Sequence, residues 1–220
     1  MKVLFLRVGI DKGCGGRLSP IAKDHSFEYI PIPEGASTIN GLRYSDLKAR
    51  QGGTLAQVIG RDGFTHHDPD FEAFSYGEPS EPKRSQLLRL TSGDHLVFYA
   101  GFAGDETESG TCFVIGYFVV RVVHRINAAE SWPPPSLAYL PNAHFRRVHR
   151  EDSLVIVEGE SSKSKLLSHA IQLSDRNHQV LPAVSQAIGF SGSVKRAIGR
   201  WVPDSHVESA LGWIYGRRRG

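Results

Sequence analysis

"HLVFYAGF", residues 95–102, is the clearest strand signal in the chain, and its surroundings decide the fold. The turn "TSGD" (91–94) precedes it, the charged loop "AGDETESG" (103–110) follows, and "TCFVIGYFVVRVVHRI" (111–126) is a second, longer apolar run. Two such runs across a short polar loop read as a β-hairpin with an acidic tip. Gly93 permits the tight entry turn and Asp94 can hold it through its side chain.

Outward from this hairpin, residues 2–9 read as a buried strand rich in Val, Leu and Phe. "SFEYIPI" (26–32), the alternating residues 71–76 and "SLVIVEGE" (153–160) read as further strands, while "TLAQVIG" (54–60) and "RSQLLRL" (84–90) read as short helices. "SSKSKLLSHAIQL" (161–173) starts on a Ser cap and keeps Leu166, Leu167, Ala170 and Ile171 on one helical face, which predicts a helix. Beyond it, "LPAVSQAIGF" (181–190), "SVKRAIGRW" (193–201) and "SHVESALGWIYG" (205–216) read as short helices, with the tail "RRRG" (217–220) frayed. The expectation is one α+β domain over 1–220, its β-rich part reaching about residue 160 and its helical section covering about 161–216.

Composition narrows the class. The chain has 220 residues, 40% hydrophobic and 22% charged, enough for a sizeable core and unlike a disordered tail. No apolar run approaches the length of a membrane span. Arg7 breaks the N-terminal apolar run, which therefore reads as a strand rather than a signal peptide. Two cysteines make no disulfide framework and fit a reducing cytosol, so a cytoplasmic protein is expected. The net charge of +3 and the excess of Arg over Lys suit contact with phosphate and bases, and suit genome composition equally.

Four motifs carry chemistry. "RVGIDKGCGG" (7–16) delivers Asp11 to the end of a strand, and Gly15 and Gly16 let backbone approach a ligand. The loop lacks the Gly-Lys-Ser/Thr ending of a phosphate-binding P-loop. Cys14 is either a nucleophile or a small residue in a turn, and Asp11 either a pocket carboxylate or a turn cap. "HHDPD" (66–70) crowds His66, His67, Asp68 and Asp70 into five positions. Such a set suits a divalent metal, with Asp11 as a further oxygen ligand, or a polar pocket wall, or turn caps set by Pro69; the spacing matches no established ligand pattern. Tyr76 and Tyr99, aromatic with a polar end and close to loops, are candidates for holding a base. "NAHFRRVHR" (142–150) and "SSKSK" (161–165) supply Asn142 and His144 beside Arg146, Arg147 and Lys163 as phosphate contacts. His144 would serve acid–base chemistry if it met Asp11 or Asp68 in space.

Two resemblances follow from these residues. The "GD" turn feeding "HLVFYAGF", then a long strand with a central Gly, resembles the PUA-like superfamily of ASCH, EVE and YTH domains, which implies a curved mixed sheet or barrel with helices packed around it. "RVGIDKGCGG", "SFEYIPIPE", "HHDPDFEAFSYG", "GDHLVFYAGF", "VIGYFVV", "NAHFRR" and "SKSKLL", in that order, resemble the third of the nucleotide-modification-associated domains. That resemblance implies a nucleic-acid context without a defined reaction, and implies DNA or RNA carrying a modified base, together with modification-system proteins, as partners.

The resulting expectation is a recogniser of a modified base or nucleotide within a DNA-modification or modification-dependent defence system. Asp11, Gly15, Gly16, Asp68, Tyr76, Tyr99 and Asn142 would line its pocket, and Arg146, Arg147 and Lys163 would meet phosphates. The alternatives are a hydrolase or transferase acting through Asp11, His67, Asp70 and His144, and a scaffold subunit with no pocket.

Overall fold

The computed structural model describes residues 1–127 and 131–216, so the 217–220 tail expected to fray lies outside the described residues. In chain order the elements are β1 (Val3–Arg7), β2 (Ser19–Pro20), β3 (Ile32–Pro33), α1 (Leu55–Ile59), β4 (Thr65–His66), β5 (Ser75–Glu78), α2 (Lys83–Leu87), β6 (His95–Ala103), β7 (Thr111–Asn127), β8 (Ser153–Gly159), β9 (Lys165–Gln172), α3 (Pro182–Ile188), β10 (Arg200–Trp201) and α4 (Val207–Gly216). The fold is α+β.

The β6–β7 hairpin is the axis of an eight-stranded mixed sheet ordered β10-β1-β6-β7-β8-β5, with β2 beside β6 and β9 beside β7. β1 runs parallel to β6, pairing Val3 with His95 through Arg7 with Tyr99. β7 is long enough to serve two sub-sheets. Its first half pairs with β6 and β9, and from Val120 onward it pairs with β8, with a register shift between Val120 and Val122. Such irregularities bend a strand and raise its twist.

Both faces of the central strands are covered, which is why they read as nearly continuous apolar runs. Leu4, Leu6, Phe98 and Phe118 point to one face and pack with Phe71, Tyr76 and Val157. Val3, Phe5, Val97, Tyr99 and Tyr117 point to the other and pack under α3 and α4 through Val184, Ile188, Ala210, Leu211 and Ile214. Alternation along β1 and β6 assigns each residue its face. A smaller cluster of Ile10, Ile30, Tyr44, Leu55 and Ile59 anchors the 30–60 segment beside the end of β1.

The structure corrects several expectations. Residues 165–172 form strand β9, not a helix, pairing Val114 with Ile171 and Gly116 with Leu166. The β7 edge offers open backbone groups, and Gly116 lets the incoming strand close in: a Cβ there would meet the Lys165 carbonyl oxygen at 2.5 Å. The helical section therefore begins at Pro182 rather than near 161. Residues 193–201 are not helical; they end in β10, which satisfies the outer edge of β1 through Leu4–Trp201 and Phe5–Arg200. The 26–32 segment makes isolated bridges (Ile21–Phe27, Ser26–His169) before the two-residue β3. Residues 71–74 form a turn, and the strand there starts at Ser75. The sheet does not close into a barrel, since β10 and β5 end it without pairing with each other.

Candidate functional site

A cavity of about 380 Å³ opens between the end of β1, the β3–β4 pair, β5 and the loop around residue 144. The elements explain the placement of each side chain. β3 and β4 pair Ile32 with His66, so Glu34, just past β3, meets the His66 ring with its Oε2 at 2.8 Å from Nδ1. Two residues after His66, the chain turns and presents Asp68 to β5. There the Gly77 N–H donates to both Asp68 oxygens, at 2.9 and 3.1 Å. Asn142 donates from Nδ2 to Asp68 Oδ1 at 3.4 Å and to Ser75 Oγ at 3.2 Å, while its Oδ1 accepts the His144 N–H at 3.1 Å. Asn142 thereby caps the turn Ala143–Arg146 that carries His144.

His66, Asp68 and His144 converge on the floor of this cavity, and all three are buried. Asp68 Oδ2 lies 3.8 Å from Nε2 of His66 and 3.6 Å from Nε2 of His144. The two imidazoles meet edge to face. Behind them, Nδ1 of His144 contacts Glu151 Oε1 at 3.4 Å. Arg147 joins the two outer carboxylates: Nη2 and Nε donate to Glu34 at 3.1 and 3.2 Å, and Nη1 to Glu151 at 2.5 Å. Burial alone would raise the Glu34 carboxyl, but bonds from His66 and Arg147 outweigh it and hold it at about 2. The bond from His144, with Arg147 adding to it and burial opposing, holds Glu151 at about 2. Burial works against charge on His144, yet Asp68 and Glu151 prevail and raise its pKa.

Gly77 makes this packing feasible. A Cβ there would stand 2.5 Å from Cδ2 of His144 and 3.1 Å from Oδ1 of Asn142. The lining also includes Arg7, paired with Asp11 at 3.5 Å, and Lys83, paired with Glu78.

Of the residues singled out from sequence, Asp11, Cys14, His66, Asp68, Tyr76, His144 and Arg147 line the cavity, and Asn142 holds Asp68 and the His144 turn. Asp11 also caps its own loop, accepting from the Gly13 and Cys14 N–H groups at 2.8 and 2.7 Å. Gly15 and Gly16 take positive φ in that loop and do not line the cavity. Cys14 is exposed overall, but partial shielding and the Asp11 carboxylate push its thiol pKa up, the reverse of an activated nucleophile.

Other expectations fail on geometry. His67 turns away from the cavity toward Asp70, 3.8 Å off. Asp70 caps the 70–73 turn, accepting from the Glu72 and Ala73 N–H groups at 2.8 Å each. Tyr99 is wholly buried on the helix-covered face, its hydroxyl donating to the Val194 carbonyl at 3.2 Å. Tyr76 does line the cavity, but its ring is largely buried and its hydroxyl donates to Glu78 at 3.1 Å. Arg146 donates to the Asn40 carbonyl at 2.9 Å instead of lining the cavity. Lys163 belongs to a different cleft, beside His95 and Tyr215. The sequence pointed to His66 only as one of the crowded 66–70 set, and did not place Glu34, Glu151, Glu78, Lys83 and Arg7 in the site. The pattern His-x-Asp at 66–68 with a distant His was a usable signal for the first; the carboxylates behind the imidazoles carry no local one.

The family model of nucleotide modification associated domain 3 matches residues 2–211. The chain belongs to that family. Within nucleotide modification associated domain 3, the match runs from the start of β1 into α4 and so includes every cavity-lining residue named above. No curated protein and no solved structure matches the chain. Among the described residues no helix is long and apolar enough to cross a membrane.

Proposed function

We propose that this nucleotide modification associated domain is an enzyme acting on a modified base or nucleotide, with the 380 Å³ cavity as its active site. The observation that carries this reading is the convergence of His66, Asp68 and His144, all buried, on the cavity floor. Burying ionisable groups is costly unless they are paired, and such costs are concentrated where chemistry needs them. The cavity's size lies within the range of about 300–1,000 Å³ typical of small-molecule sites. In this reading Arg7 and Lys83 face the phosphate of the ligand, and the floor faces the reacting group. A base within duplex DNA would have to leave the stack to enter.

The enzyme reading gains over the recogniser because the latter lacks its stacking platform: Tyr99 is in the core and Tyr76 is engaged with Glu78. Several broader expectations belong to the same proposal. Pairing of β1 with β10 supports one domain across the matched span. The mixed sheet and long hairpin support a PUA-like relationship. The two free cysteines support a cytoplasmic setting. DNA or RNA and other proteins of a modification system remain the proposed partners.

The test is turnover. The protein is incubated with nucleotides and oligonucleotides carrying modified bases, and products are followed by mass spectrometry. Product formation lost in Asp68→Asn, with the fold retained by circular dichroism, supports the enzyme. Saturable, salt-dependent binding without turnover restores the recogniser, and neither binding nor turnover on any modified substrate leaves the scaffold.

A further inference from the structure

We infer that His66, Asp68 and His144 form the binding site of one divalent first-row transition metal ion. The inference rests on the reading of this cavity as an active site and deepens it, by naming what occupies the floor.

Geometry supports it first. One donor atom from each residue lies within 4.8 Å of the others. The Asp68 oxygen stands 3.8 and 3.6 Å from the two Nε2 atoms. Metal–ligand bonds of about 2.1 Å in a tetrahedral site place ligand atoms about 3.4 Å apart. The three donors therefore need to close by only a few tenths of an ångström along those two edges. The same separations exceed a settled hydrogen bond, about 2.7–3.2 Å, so neither imidazole has found its partner in Asp68.

The second observation is the backing of each ring. Glu34 and Glu151 contact the Nδ1 atoms at 2.8 and 3.4 Å. The carboxylates stand on the Nδ1 side of each ring, which leaves each Nε2 turned toward the same Asp68 oxygen. A cation standing between them could take one donor atom from each of the three residues. Carboxylate–imidazole pairs of this kind hold metal-ligating histidines in tautomer and orientation. Asp68 is only 2% exposed at its side chain, and among the described residues no Lys or Arg pairs with it.

The donor set names the metal class. Two imidazoles and one carboxylate suit Zn²⁺, Fe²⁺ or their neighbours, whereas Mg²⁺ and Ca²⁺ prefer oxygen throughout. All three ligands line the cavity, so the remaining coordination positions face the space a substrate or water would fill. Three protein ligands with an open position distinguish a catalytic from a closed structural site.

The experiment titrates chelator-stripped full-length protein with Co²⁺, read by visible absorption, and with Zn²⁺, read by calorimetry. One equivalent of each is expected to bind. The folded double variant H66Q/H144Q should bind at least about 100-fold more weakly, and His67→Ala should bind one equivalent as the unaltered protein does. The site is overturned if the unaltered protein binds neither metal saturably, or if the folded double variant keeps its equivalent. Metal binding without turnover on any substrate would leave the site standing and remove the enzyme reading. Turnover by protein that binds neither metal would do the reverse.

Discussion

His66 and His144, from separate halves of the chain, meet with ring centroids 4.6 Å apart and planes at 84°, each contacting the same oxygen of Asp68. Neither ring could hold this position alone. β4 and Glu34 set the first, and the Asn142-capped turn and Glu151 set the second.

Gly77 is the tightest point of that arrangement. Gly77→Ala puts a methyl 2.5 Å from the His144 ring. The ring must move, since the alternative is to shift β5 against β8. We expect metal affinity and turnover to fall at least tenfold, with a stability loss of about 1–3 kcal/mol, the usual cost of overpacking. Urea unfolding alongside a Co²⁺ titration reads both; unchanged metal affinity in the folded variant contradicts the packing account.

The outer carboxylates act through the rings they hold. Glu34→Gln and Glu151→Gln should each weaken metal binding about 10–100-fold, the range for loss of a partner behind a ligand. Glu158→Gln is the control: Glu158 is a buried carboxylate that is engaged with Arg121 and His124 away from the cavity. Equal losses in all three variants would point to a general effect of buried charge instead.

Cys14→Ser tests the discarded nucleophile. Its thiol pKa is raised by partial burial and by Asp11. Turnover should therefore persist within about threefold, because a thiol held protonated at neutral pH contributes little as a nucleophile. Complete loss of turnover in a folded Cys14→Ser protein would return the cysteine to the mechanism.

The helix-covered face should be separable from the site. Ile188 is wholly buried there in α3. Ile188→Ala should cost about 2–5 kcal/mol, from lost burial and the remaining cavity. Metal affinity at low temperature should stay unchanged.

His95 gives the stability of this face a pH dependence. Burial lowers its pKa, against the opposing pull of Asp94, and its Nε2 is 2.6 Å from the Tyr215 hydroxyl. The folded state thus takes up this proton less readily than the unfolded chain. Its neutral form contributes stability that is fully present above the unfolded value, near pH 6.5, and is lost as pH falls through the lowered folded value. His124 and His178 are shifted the same way, so the comparison is with His95→Gln. The midpoint of urea unfolding should fall less between pH 7.5 and pH 5 in the variant; identical slopes contradict the assignment.

Local pattern was enough for the hairpin, β1, β8 and the helices at 182–188 and 207–216, because their apolar spacing is set by the faces they bury. It misled at 165–172. Leu166, Leu167, Ala170 and Ile171 satisfy a helical stripe, yet the open edge of β7 and the bare backbone at Gly116 recruit the segment as a strand. Propensity is a weak prior beside a long-range pairing of that kind.

The site divides along the same line. The sequence by itself determined the family, the α+β class and the crowding of His and Asp at 66–70, since these depend on residue types and their order. Only the tertiary structure decided which of those residues act together. It turned His67 and Asp70 toward their own turn, and brought His66 and Asp68 to His144 through the Asp68–Gly77 and Asn142 bonds. It also supplied Glu34 and Glu151 from unrelated positions behind the rings. The physical reason is range. Turn caps and strand alternation are settled within a few residues, whereas a buried charge finds its partners wherever the sheet topology places them.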